Sequence, residues 1–359
     1  KIRYDLAKEV AAVNNPSFFS DYADLSTEKQ DVLKRVWDKA NEHVSNGAFQ
    51  IITEQDIDNL KSAVKGEYTE PVYNKYQQDT LTVMSYNVKR CNGGNYRQTA
   101  KVIMNEKPDV VAIQEVDSTS VRFQMAQLAQ ATGMYGIFCH ADTPDYGIGM
   151  LCSEKPLSVK CVELVPDFER RVMLVAEFQN YVFCSLHVGL YASCRKGETG
   201  SGGRILNEAK RWEASGKPFI VAGDFNDDGT DSEMQGARGA LTKYLQENGF
   251  TYHSDLKTPT WSEGIYVIDN IISYDVIGGV ETVSYKVVDD KVTSDHMPIV
   301  SELLVGFEDP NGIQDTNAET RSKGSKVYNL SGTLVADSAE GITELPGGIY
   351  IYDGKKLKK

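Results

Sequence analysis

Gly223-Asp224-Phe225-Asn226 and Ser294-Asp295-His296 bring together two carboxylates, an amide and an imidazole. Carboxylate and amide oxygens hold hard cations, and an imidazole exchanges protons near neutral pH. Each motif adjoins an apolar run that reads as a buried strand, Phe219-Ile220-Val221-Ala222 before the first and Met297-Pro298-Ile299-Val300 after the second. Val110-Val111-Ala112-Ile113 likewise delivers Gln114-Glu115, and Val83-Met84-Ser85-Tyr86 delivers Asn87. A buried strand that only turned would end in turn residues. Strand ends that instead present carboxylate, amide and imidazole to one sheet edge make a site.

With Ile268-Asp269-Asn270-Ile271 added, the segments Ser85-Tyr86-Asn87-Val88, Ile113-Gln114-Glu115-Val116, Gly223-Asp224-Phe225-Asn226 and Ser294-Asp295-His296 form an ordered set. It resembles the motifs of the endonuclease/exonuclease/phosphatase superfamily, the fold of pancreatic-type DNases. Gly-Asp-x-Asn alone is an ordinary turn, whereas five such motifs in order, each closing an apolar strand, are specific. The resemblance spans about residues 80–305 and implies an α/β, DNase I-like four-layer sandwich. In that fold two packed, mainly antiparallel sheets are flanked by helices. The implied activity is divalent-metal-dependent hydrolysis of phosphoester bonds.

The resemblance also implies roles. Glu115 would be the principal metal ligand, with Asn87 beside it and Asp295 sharing the duty, for Mg²⁺ or Mn²⁺ with Ca²⁺ as the alternative. Asp224 and Asn226 would face the attacking water. Asp269 would hydrogen-bond His296 and favour its imidazolium, and His187 would donate to a phosphoryl oxygen. Tyr146-Gly147 and Glu169-Arg170-Arg171 fall where related bacterial members have Tyr-Gly and Glu-x-Arg, which would put Tyr146 and Arg171 on the substrate. Without the family, Glu115 reads as the cap of a helix near Ser118, a reading that the apolar run before it and the four matching strand ends oppose. Arg171 then reads as a partner of Glu169 or Glu177, and Tyr146 as a phenol at the core edge.

Departures from the family pattern narrow the branch. Ser185-Leu186-His187 stands where many bacterial relatives have Asn-Thr-His, which removes one amide contact. His187 itself sets the chain apart from abasic-site endonucleases. Inositol polyphosphate 5-phosphatases carry Trp-Cys-Asp-Arg where this chain has Asp269 followed by Asn270. Phosphatase or phosphodiesterase, secreted DNase-type endonuclease and phospholipid phosphodiesterase remain open. A non-catalytic surface module on the same scaffold is the alternative of another class, opposed by the joint presence of these polar groups.

The 359 residues suit one large core with appendages, and 41% apolar with 25% charged residues describe a soluble globular chain. No apolar run approaches membrane-spanning length. A net charge of −13 argues against a strong basic surface for nucleic acid. The expected partner is a phosphoester substrate, whether small molecule, lipid headgroup or nucleic acid, bound by a monomer. The chain starts at Lys1 without Met or an apolar leader, which reads as a mature or truncated protein. Six cysteines without Cys-x-x-Cys spacing make zinc an unsuitable reading. Cys139, Cys152 and Cys184 lie in apolar runs and read as small buried hydrophobes. Cys91 and Cys194 lie in loops where an oxidising compartment would let them pair, but mostly free thiols are expected.

The positioning elements divide the chain into four expected parts. Residues 1–78 read as a helical segment and linker, with Thr27 and Gln30 in capping-box spacing, a stop at Asn46-Gly47, and a second helix capped by Thr53 and closed by Gly66. Residues 80–305 form the catalytic domain. Helices are expected over 96–104, 120–131, 204–214 and 238–248, with strands over 135–139, 147–151, 157–164, 172–178 and 182–186. Residues 306–325 read as a solvated linker and 326–359 as a small β module. That module resembles the sorting modules of secreted Gram-negative bacterial proteins, which implies a secreted, periplasmic or cell-surface location. A small packed hairpin without an address is the alternative.

Overall fold

The computed structural model describes residues 24–46, 50–118, 123–141, 145–195, 197–227, 239–275 and 279–307, and four short strands of the tail. The chain divides into two compact units, Lys1–Phe307 and Glu308–Lys359. In the smaller unit, Val327–Asn329 and Ile349–Tyr352 are the central strands of a four-stranded sheet. Leu334–Ala336 and Lys355–Lys358 are its edges. The expected linker lies almost wholly outside the described residues.

The described part of the larger unit begins with two helices, α1 (Thr27–Asn46) and α2 (Gln50–Val64). Ser26 rather than Thr27 precedes the first helical residue, and its Oγ accepts the Lys29 N–H at 3.4 Å. Thr53 is not a cap, because the apolar pair Ile51-Ile52 is buried in the main core and draws the helix start back to Gln50. Gly66 ends the segment with φ +69°, a backbone state that glycine adopts without strain.

The body is two mixed sheets of six strands. The first comprises β1 (Asp79–Asn87), β2 (Val110–Asp117), β3 (Tyr135–His140), β4 (Tyr146–Cys152), β11 (Val280–Val287) and β12 (Ile299–Val305), in the order β11-β12-β1-β2-β4-β3. The second comprises β5 (Ser158–Glu163), β6 (Val172–Glu177), β7 (Val182–His187), β8 (Phe219–Asp224), β9 (Phe250–Tyr252) and β10 (Asp269–Tyr274), in the order β5-β6-β7-β8-β10-β9. Only β1–β2 and β7–β8 pair in parallel among the described strands, so antiparallel pairing dominates. Helices α3 (Tyr96–Glu106) and α4 (Gln124–Thr132) contribute Ala100, Ile103, Met125 and Leu128 to the outer face of the first sheet. Helices α5 (Ser201–Lys210) and α6 (Ala240–Glu247) cover the second with Ile205, Leu206, Leu241 and Leu245. The two helical ranges expected around Asp224 are therefore shifted or shortened, and residue 238 lies outside the described residues.

Strand periodicity explains where the site must be. Successive side chains point to opposite faces, so Val83, Ser85 and Asn87 share one face of β1, as Phe183, Ser185 and His187 share one face of β7. Val83, Ala112, Phe183, Ala222 and Ile271 belong to one apolar cluster between the sheets. The face that begins apolar therefore ends polar on several adjacent strands. The filling between the sheets changes from apolar to hydrogen-bonding groups at the end where the strand-end motifs lie.

Both lateral edges of the sandwich are tied. A disulfide joins Cys139 on edge strand β3 to Cys161 on edge strand β5, with Cα atoms 6.4 Å apart. This corrects the expectation of Cys139 as a lone buried hydrophobe. The two strands belong to different sheets, and sequence spacing does not reveal which edges face one another. The other cysteines are free and buried, Cys91 and Cys194 among them, so those two do not pair with each other. Along the opposite edge, His253 follows β9 and its Nδ1 lies 2.8 Å from Thr282 Oγ1 on β11, while its Nε2 lies 2.8 Å from Ser273 Oγ on β10.

Candidate active site

The sheet registers set Asp224 between two partners. His187 stands opposite Asp224 across the parallel β7–β8 ladder, and Asp269 stands opposite it across β8–β10. Gly223 permits the close approach, since a Cβ there would lie 2.2 Å from the Leu186 carbonyl oxygen. His296 enters from the first sheet. Its Nδ1 lies 2.8 Å from Asp269 Oδ2, and its Nε2 lies 3.7 Å from Asp224 Oδ2. Asn87 links the sheets from the other side: its Nδ2 donates to Glu115 Oε1 at 3.0 Å and to Asp224 Oδ2 at 3.1 Å. Ser294 Oγ donates to the Asn87 carbonyl at 2.7 Å, which fixes the approach of the His296 segment.

Glu115 and Asn226 occupy left-handed backbone, with φ of +55° and +48°. Glu115 lies where the β2–β4 register slips between Ile113 and Val116. Such bulges re-aim a side chain, and this one turns Glu115 toward Asn87 instead of capping a helix. Asn226 is held by its N–H to Asp224 Oδ1 at 2.9 Å and by its Nδ2 to the Val188 carbonyl at 2.8 Å.

The titratable groups separate by environment. Burial alone would lower the His296 pKa, but Asp269, Asp224 and Asp295 outweigh it and raise it to about 10. His296 is therefore an imidazolium at neutral pH. Burial lowers His187 to about 4, aided by Arg171 and His296 and opposed by Asp224. A neutral His187 makes its 3.4 Å approach to Asp224 a polar contact and not an ion pair. Burial raises Asp224, against the pull of both histidines.

A cleft of about 530 Å³ opens above this row. Glu115, Tyr146, Arg171, His187, Asp224, Asn226 and His296 line it, whereas Asn87, Asp269 and Asp295 stand behind or beside it. Arg171 is buried, its Nε and Nη2 donating to the two Asp167 carboxylate oxygens at 3.2 and 3.0 Å, with Glu169 3.4 Å from Nη1. Asp167 is invisible to motif reading, because its signal is only a carboxylate four residues before an arginine. Tyr146, whose phenol pKa burial raises, stacks beneath Arg90 at 4.7 Å. Phe168, Leu190, Trp261, Tyr266 and Ile268 add an apolar wall that no sequence motif marks.

The donor set suits a hard divalent cation, being rich in carboxylate oxygen. Asp224 and Asp269 place carboxylate oxygens within 4.8 Å of each other and of a His296 ring nitrogen. Asp269 Oδ1 is buried and accepts no hydrogen bond among the described residues. Glu115 and Asn87 adjoin this group. Asp295 is engaged differently from the expectation, since its Oδ2 lies 2.6 Å from Lys89 Nζ.

Comparisons with known proteins agree with this architecture. No curated protein sequence matches the chain. An endonuclease/exonuclease/phosphatase from Beutenbergia cavernae aligns at 19% identity and a TM-score of 0.52, covering 63% of this chain and 72% of that one. A Bacteroides vulgatus protein of the same description aligns at 16% identity and 0.52, covering 63% and 99%. A Bacteroides thetaiotaomicron family protein aligns at 18% and 0.50, covering 64% and 96%. These likenesses establish the fold, the α/β sandwich of DNase I type. The family model for the endonuclease/exonuclease/phosphatase family matches residues 84–296, the whole stretch that carries the strand-end motifs. The chain belongs to the endonuclease/exonuclease/phosphatase family.

Proposed function

We propose that this protein is a divalent-metal-dependent hydrolase of phosphoester bonds. The observation that carries the reading is the convergence of His187, Asp224, His296 and Glu115 on one cleft, with Asp269 and Asn87 hydrogen-bonded to them from behind it. Glu115 and Asn87 would hold Mg²⁺ or Mn²⁺, with Asp295 kept apart by its ion pair with Lys89. Bound there, the cation would supply charge neutralisation for the phosphate. Asp224, made more basic by burial, takes or orients the proton of the attacking water, and Asn226 positions that water without adding charge. His296, kept cationic by Asp269, faces the negative charge that develops on the phosphoryl oxygens. His187, neutral, donates a hydrogen bond to a phosphoryl oxygen. Preorganised donors of this kind act most strongly where water is excluded.

The cleft favours a compact phosphoester. Among its described lining residues Arg171 is the one lysine or arginine, and it is already paired with Asp167 and Glu169. Phe168, Trp261 and Tyr266 offer flat apolar surface to a ring on the leaving side. Neither feature suits a long polyanion, and a net charge of −13 points the same way. An exported location is part of the proposal, supported by the Cys139–Cys161 disulfide.

The test is a panel of phosphomonoesters, phosphodiesters, single- and double-stranded DNA and phospholipids, assayed with Mg²⁺ or Mn²⁺. Turnover should appear on small phosphoesters, vanish in EDTA and return with added metal. Full activity in chelator, or none on any member of the panel, would overturn the proposal.

A further inference from the structure

The pair Asp269–His296 is assembled across the sandwich. Asp269 opens β10 of the second sheet, and His296 precedes β12 of the first. No ladder connects those two strands, so their 2.8 Å contact must be held by something outside the sheets. Thr260 makes the connection. It is fully buried, and its Oγ1 accepts the backbone N–H groups of Ile268 and Asp269, each at 3.1 Å. Its carbonyl accepts the Met297 N–H at 2.6 Å, and its own N–H donates to the Tyr266 carbonyl at 2.9 Å. Trp261, next in sequence, forms an isolated β-bridge with His296, and the Ser262 N–H reaches the Asp295 carbonyl at 2.7 Å. One residue thus grips the backbone of Asp269 by its side chain and the backbone beside His296 by its main chain.

We propose that Thr260 is a positioning residue, a strap that sets the distance between Asp269 and His296. The main-chain half of the grip survives any substitution except proline. The side-chain half needs a hydroxyl acceptor, and without it the half-buried Ile268 N–H and the buried Asp269 N–H at the start of β10 lose their partner. Asp269 would then shift relative to His296. A misplacement of about 1 Å at a catalytic group costs on the order of a hundredfold in rate. The assignment rests on the hydrolase reading for its catalytic consequence, but not for the geometry itself.

The experiment compares Thr260→Val, which is isosteric without the hydroxyl, with Thr260→Ser, which keeps it. The full chain is ¹⁵N-labelled at histidine, and the His296 Nδ1–H resonance is identified by its loss in His296→Gln. Thr260→Val should move or broaden that resonance and lower kcat about tenfold to a hundredfold on the best panel substrate, with KM little changed. Thr260→Ser should restore both. An unchanged resonance in Thr260→Val, or a Thr260→Ser that fails to rescue, overturns the proposal and leaves Thr260 as packing only. If Thr260→Val does not fold, Thr260→Cys, a poorer acceptor of similar size, is read by the same resonance. If the wild-type chain hydrolyses nothing, the hydrolase reading fails, while the resonance still decides the strap.

Discussion

His253 offers a quantitative test of the packing between the sheets, away from the catalytic cleft. It is almost wholly buried, its ring nitrogens face the hydroxyls of Thr282 and Ser273, and burial lowers its pKa from 6.5 to about 4. The unfolded chain therefore binds a proton near pH 6.5 that the folded chain refuses until about pH 4. Where the unfolded state binds more protons, stability rises with pH. This contribution is accordingly complete above pH 6.5 and lost as pH falls from 6.5 toward 4. A tenfold difference in proton affinity between the two states is worth about 1.4 kcal/mol. The full loss is then roughly 3 kcal/mol, of which about 2 kcal/mol falls between pH 7 and pH 5. Other groups titrate over the same range, so the measured quantity is the difference between wild type and His253→Gln. Urea denaturation at pH 7 and pH 5 should give a wild-type stability that falls about 2 kcal/mol further than that of the variant. Equal pH dependence in the two proteins would refute the claim that His253 is held neutral by the fold.

His296→Ala and Asp224→Ala should each lower kcat by about two orders of magnitude or more while leaving the far-ultraviolet circular dichroism unchanged. Near-normal turnover would remove either residue from its assigned role. Cys139→Ser should lower stability by roughly 3 kcal/mol, the value for closing a loop of this order, as read by urea denaturation under oxidising conditions. Thiol titration of the unfolded, unreduced wild type should count four free thiols, those of Cys91, Cys152, Cys184 and Cys194. Deletion of residues 308–359 should leave hydrolysis largely intact, because those residues form a separate compact unit. Loss of turnover in that truncated chain would tie the tail to the catalytic body, and unchanged localisation in the native host would end the sorting proposal.

The strand-end residues were legible because their signal is local. Val110 to Ile113 must be a buried strand, and a glutamate two residues later on a short chain path can only emerge near the strand end. What failed to show in sequence depends on which surfaces meet. Cys139 and Cys161 look like members of two unrelated apolar strands until the edges β3 and β5 are set opposite each other. Asp295 looks like a free carboxylate until the left-handed backbone after Asn87, with Lys89 at φ +44°, swings the Lys89 ammonium against it. Thr260 carries no motif that a motif reading could detect, since its importance lies in two N–H groups eight and nine positions onward. Helix ends shifted for the same reason: at Thr53 the burial of Ile51 and Ile52 outweighed the local preference for a cap.

The tied lateral edges give the body the mechanics of a flattened hoop. Cys139–Cys161 closes one side and His253–Thr282 closes the other, so either closure alone keeps the two halves facing each other as a hinge keeps the covers of a book. Opening one side leaves the remaining side as a pivot, about which the halves gain little freedom. Opening both leaves the halves joined by their packed interior and by the Asn87 and His296 contacts at the site end. The two losses should therefore be more than additive, as expected for sites coupled through shared structure. Reduction at neutral pH and acid under oxidising conditions should each be tolerated, while the two together cost more than the sum of their separate effects. A protein built this way should lose more when reducing and acidic conditions coincide than the two losses taken separately would predict.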